Sequence, residues 1–80
     1  MNPESVLNEL VQVIRENVGY EPAPDEPLSN YLNSVTFIKV MVAAEKAFAV
    51  RFEDEELDNK QFPNLAQLSR FIFNKIRPAD

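Results

Sequence analysis

Apolar residues recur through the first eighteen positions at spacings of three and four: Leu7, Leu10/Val11, Ile14 and Val18. That rhythm predicts one stripe of an amphipathic helix. Asn2-Pro3-Glu4 supplies a capping side chain, a proline at the first helical position and an acid near the positive helix end, and Gly19 supplies the stop. A second helix is predicted from Asn33-Ser34 to about Phe48. At about 100° per residue, Phe37, Met41, Ala44 and Phe48 share a face with Ile38 at its edge, and these five are the expected core residues. The opposite face holds Lys39, Ala43 and Lys46, flanked by Val35 and Val42 on one side and Thr36 on the other. After Phe62-Pro63-Asn64, with Asn64 as cap, a last stripe follows: Leu65, Leu68, Phe71/Ile72 and Ile76. Arg70, Lys75 and Arg77 lie toward its negative end.

The intervening segments read differently. Residues 20–33 contain Pro22, Pro24, Pro27 and three acids, which predicts a long loop pinned to the core by Leu28, Tyr31 and Leu32. Loops of this length in small domains are more often functional than idle. Val50-Arg51-Phe52 reads as a short extended link, and Glu53–Asp58 as a short helix capped by Asp54. Strict alternation nowhere runs long enough for a strand. The expected fold is all-α: one domain over residues 1–80, with three main helices, one short helix and a long first loop.

Composition narrows the chemistry. The chain has 80 residues and 45% apolar side chains, which suits one small globular domain. It has no cysteine, so it has no thiolate nucleophile and no zinc thiolate site. It has no histidine, so the usual general base and the commonest metal ligand are missing. One glycine is too few for either common phosphate-cradling loop. With 13 acidic against 8 basic residues, a net charge of −5 argues against nucleic acid and against an anionic membrane surface. The longest apolar run, Val40–Ala44, is far short of a bilayer span, and no secretory signal opens the chain. A cytoplasmic, monomeric protein is expected. The acidic cluster at residues 53–58 lacks the spacing and glycine of a calcium loop, so a solvated acidic face is its expected role.

One position stands out. Ser34 lies where the long loop meets the second helix, so a phosphate carried there would face unpaired backbone N–H groups and the positive helix end. The plain alternative is that Asn33-Ser34 is a capping pair and the serine does nothing more.

The segments Leu32-Asn33-Ser34-Val35-Thr36-Phe37-Ile38-Lys39 and Ala44-Glu45-Lys46-Ala47-Phe48-Ala49-Val50-Arg51-Phe52-Glu53-Asp54-Glu55-Glu56-Leu57 resemble the acyl carrier and peptidyl carrier proteins. In that family a serine preceded by aspartate opens the second helix, and an acidic third helix follows a short hydrophobic link. The resemblance covers nearly the whole chain. It implies an antiparallel four-helix bundle and a 4′-phosphopantetheine arm on Ser34, taken from coenzyme A, which makes the chain a phosphoprotein. Cargo would ride as a thioester on the arm, and the chain would be no enzyme itself. Its partners would be a phosphopantetheinyl transferase and acyl- or aminoacyl-loading, condensing or tailoring enzymes. Some positions depart from the family pattern. Asn33 stands where aspartate is usual, Tyr31 where many members have glycine, Val35 where leucine or isoleucine is usual, and Ala44 where leucine is common.

Charge refines the expected partner set. Carriers of fatty-acid synthesis are known for an acidic second helix that docks on basic patches. Here residues 34–52 hold Lys39, Lys46 and Arg51 against Glu45, a net +2. Solubilising lysines account for this equally well. As a recognition surface, Asn33, Val35, Thr36, Lys39, Val42 and Lys46 would serve partners of a specialised polyketide, non-ribosomal peptide or modified acyl pathway. Two other readings stand beside the free-standing carrier: a helical interaction module without an arm, and a small carboxylate enzyme. The second lacks paired acids at an evident pocket.

Overall fold

The computed structural model describes residues 2–76. Three α-helices carry the fold: α1 (Pro3–Val18), α2 (Ser34–Phe48) and α3 (Leu65–Ile76). Between them lie 3₁₀ turns at Leu28–Asn30, Asp54–Glu56 and Asn59–Gln61, and no strand occurs among the described residues. The helix ends follow the sequence chemistry. Asn2 Oδ1 accepts the Ser5 N–H at 2.8 Å, and Gly19 closes α1 in the left-handed region (φ 76°) with its N–H on Arg15 O. Asn64 Oδ1 accepts the Gln67 N–H at 2.9 Å ahead of α3. Arg77 lies outside the described residues.

α1 is the shared wall of the core, packing against both α2 and α3. Two neighbours demand a wide apolar arc, so Val6 and Val13 are buried with Leu10 and Ile14, while Leu7, Val11 and Val18 are only partly covered. From α2 the core takes Phe37, Val40, Met41, Ala44 and Phe48. Ile38 is therefore a correction: it is 43% exposed, and Val40 is buried in its place. The physical reason is visible on the helical wheel. The centre of the other four core positions lies about 90° from Ile38 but about 70° from Val40. From α3, Leu65, Leu68 and Ile72 are buried and Phe71 and Ile76 half-buried.

The short third helix does not form as an α-helix. Asp54–Glu56 is a 3₁₀ turn, and Glu53 rather than Asp54 holds the cap position, its N–H donating to Glu56 Oε1 at 2.7 Å. Glu53, Asp54, Glu55, Glu56 and Asp58 place like charges at the i,i+3 and i,i+4 positions of any helix there. Leu57 is the lone apolar residue among them, too little to offset the cost of nucleating a helix. The described residues are thus all-helical, with three α-helices and a 3₁₀ turn where the short helix was expected. Phe37, Phe62, Phe71 and Phe52 form a chain of rings with centroids 6.1, 5.0 and 6.0 Å apart, bridging α2 and α3. Lys75 covers its end, with Nζ 5.5 Å from the Phe71 centroid, 5.8 Å from that of Phe52 and 3.1 Å from Glu56 Oε1.

The long loop is fastened at both ends of its course. Leu28 and Leu32 are buried. The Leu28 N–H donates to Pro63 O at 3.1 Å, and the Ala66 N–H donates to Pro24 O at 3.0 Å. These bonds tie residues 24–28 to the start of α3 and deliver the chain to α2 from a fixed direction. Among the described residues no helix is long and apolar enough to cross a membrane.

Candidate functional site

The head of α2 is built by a reciprocal pair. Asn33, in extended backbone, accepts the Thr36 N–H through Oδ1 at 2.9 Å, and its own N–H donates to Thr36 Oγ1 at 2.8 Å. This capping box satisfies the third helical N–H and fixes the angle at which the loop enters the helix. The first full helical bond runs from the Phe37 N–H to Asn33 O at 2.8 Å. Phe37 is fully buried, so the turn is anchored from below.

Ser34 is the first residue of this helix and not its cap. It is exposed, and its hydroxyl makes no hydrogen bond among the described residues. The Ser34 and Val35 N–H groups likewise find no partner among the described residues. They stand at the positive end of a 15-residue helix. A primary hydroxyl beside two free amide donors is a donor set that fits a phosphodiester, whose charge those amides and the helix dipole stabilise. The chain has no histidine, so no imidazole of its own stands beside this hydroxyl.

The other sequence-derived site residues fall into two groups. Asn33 and Thr36 are occupied with one another in the cap. Val35, Lys39, Val42 and Lys46 lie along the outward side of α2, all exposed. Ile38 joins that side, and its spacing to Val35 and Val42 was the signal that could have placed it there. Glu45, the acid of α2, is half-buried and accepts the Phe52 N–H at 2.8 Å, which orders the link after the helix.

Upstream of Ser34 the loop carries an aromatic clasp. Tyr20 and Tyr31 stack with centroids 4.8 Å apart and planes 17° from parallel. The Tyr20 hydroxyl donates to Glu26 Oε2 at 2.7 Å, and that bond holds the Glu26 carboxyl below its usual range. Burial pushes the Tyr31 phenol up to about 12, and its hydroxyl oxygen is enclosed with no hydrogen-bond partner among the described residues.

Residues 8–72 match the family described as the phosphopantetheine attachment site. The chain is also similar to an acyl carrier protein of Acidothermus cellulolyticus, 30% identical over 64 residues that cover 74% of this chain and 76% of that one.

Proposed function

The chain belongs to the acyl carrier protein family and carries a covalently attached phosphopantetheine group, and on that premise we propose that Ser34 is its point of attachment. The observation that supports this most directly is the division of labour at the helix start. Asn33 and Thr36 do the capping, which leaves the Ser34 hydroxyl exposed and without structural duty. In the transfer, Ser34 Oγ forms a bond to the phosphorus bearing the pantetheine of coenzyme A. The bond to the departing adenosine bisphosphate breaks, and the serine proton passes to a base on the transferase. When bound, the arm supplies a thiol that holds cargo as a thioester. This chain's residues present the hydroxyl, stabilise the phosphodiester through the first-turn amides, and offer the side of α2 to partner enzymes.

We assign the carrier to a specialised pathway of polyketide, non-ribosomal peptide or modified acyl type. The support is the outward side of α2, where Lys39 and Lys46 stand and where carriers of fatty-acid synthesis are acidic. Asn33, Val35, Thr36, Lys39, Val42 and Lys46 form the recognition surface in this reading.

Intact mass after incubation with coenzyme A and a broad-specificity phosphopantetheinyl transferase tests the assignment. The wild-type chain should gain one arm and Ser34→Ala none. Because Asn33 keeps the cap, Ser34→Ala should lose less than about 0.5 kcal/mol of stability. A gain that persists in Ser34→Ala, or failure to load with several transferases, would overturn the assignment.

A further inference from the structure

α2 presents an apolar line that nothing in its own chain covers. Val35, Ile38 and Val42 are 74%, 43% and 43% exposed, while the remaining exposed large hydrophobic side chain of the described residues, Tyr20, is stacked on Tyr31. Spacings of three and four set the three on one narrow track along the outward side of α2, beginning one residue past Ser34. Val35 and Val42 are about 10 Å apart along the axis. Lys39 and Lys46 run beside this track at the same interval, within about 40° around the helix. Both are exposed, and neither is ion-paired among the described residues. Glu45, the next position along this track, is half-buried and its carboxylate is held by the Phe52 N–H, so Lys39 and Lys46 are the exposed charges beside the apolar line. Of the acidic turn that follows α2, Glu56 is paired with Lys75 on α3.

Building on the Ser34 assignment, we propose that this track docks a partner enzyme whose receiving site is an apolar depression rimmed by carboxylates. That polarity is the reverse of the basic sites that receive acidic carriers. The apolar line supplies the burial, and the two lysines supply steering and choice, because unlike charges speed encounter and like charges across an interface reject the wrong partner. Two lysines on a chain of net charge −5 are a poor match for an anionic lipid surface. A second copy of the chain brings the same net charge and is repelled at long range.

The test loads the chain with an arm ending in a thiol-reactive electrophile and follows cross-linking to a fatty-acid ketosynthase with a basic docking rim. A second arm of the experiment uses the same ketosynthase with its rim residues reversed to glutamate. The wild-type carrier should cross-link at least about ten-fold faster to the reversed enzyme. The Lys39→Glu/Lys46→Glu variant should prefer the original, and the difference should shrink as salt is raised. Val35→Ser/Ile38→Ser should slow both reactions. Indifference of a loaded carrier to rim charge, or preference for the basic rim, overturns this proposal and leaves the Ser34 assignment standing. A dimer in sedimentation that Lys39→Glu/Lys46→Glu abolishes overturns it in favour of a second copy. A chain that accepts no arm strikes down the attachment assignment and this proposal with it.

Discussion

Tyr31 holds its phenol oxygen in an enclosed position without a partner among the described residues, three residues before Ser34. Leaving a buried hydroxyl unsatisfied costs about 1–3 kcal/mol, whereas the ring itself is well used in the stack on Tyr20. Tyr31→Phe keeps the ring and removes the liability, so it should raise stability by about 1 kcal/mol in urea unfolding. A loss of stability would show that the hydroxyl is bonded after all. Alkaline titration gives an independent check. The fold favours the neutral phenol, so its contribution is complete below the ordinary value of 10.0 and is lost as pH rises toward about 12. Tyr31→Phe should lose that titration and flatten the stability curve over the same interval. A similar economy operates at Asn33. Asparagine, where aspartate is usual in carriers, retains the side-chain oxygen that receives the Thr36 N–H, so the departure from the family pattern leaves the cap intact.

At the scale of the element, α2 has to satisfy a buried arc and an outer track at once. The arc needs Val40, and the track takes Ile38, although both are β-branched residues two positions apart. Truncation separates them. Val40→Ala should cost about 2 kcal/mol, as expected for deleting buried methyl groups, while Ile38→Ala should cost under about 1 kcal/mol. Equal losses in chemical denaturation would mean that the helix sits in the register with Ile38 inside. Ala44, fully buried where leucine is common in carriers, reflects the same packing. Phe37 is fully buried on the same face of α2 and supplies bulk there.

Across the whole molecule, the feature that positions Ser34 is the fastening of residues 24–28 to the start of α3. Leu28 is both the buried side chain and the N–H donor of that junction. Leu28→Ala should cost about 2–5 kcal/mol. It should also speed amide exchange at Leu28, Leu32 and Ala66, whose N–H groups bond within or across the junction. Unchanged exchange at Ala66 would show that the backbone bonds hold the loop without the leucine. On the far side, the ring chain capped by Lys75 gives the acidic turn a fixed seat against α3. Glu56 is held below the usual carboxylate range, first by the Glu53 N–H and then by Lys75. That contribution is present above the ordinary carboxylate value and fades as acid protonates Glu56.

Local chemistry was enough for the three helices and their caps, because a cap or an apolar stripe is a contact between residues three or four apart. The join of a proline-rich loop and a helix start marked Ser34 as a candidate beside a plain capping role, and the resemblance to carrier proteins is what set it apart. Which apolar residues face inward depended on where the neighbours lie. Val6 and Val13 are buried because α1 serves two helices, and Ile38 is left outside because the core arc of α2 is turned away from it. The segment 53–58 offers a cap but no apolar face and sets like charges three and four apart, and it forms a 3₁₀ turn whose Glu56 pairs with Lys75 of α3. The orphaned Tyr31 hydroxyl and the uncovered track beside Ser34 belong to the same class. Whether a polar atom finds a partner, or an apolar one a cover, is settled by residues distant in sequence, and for that reason it could be read only from the tertiary structure.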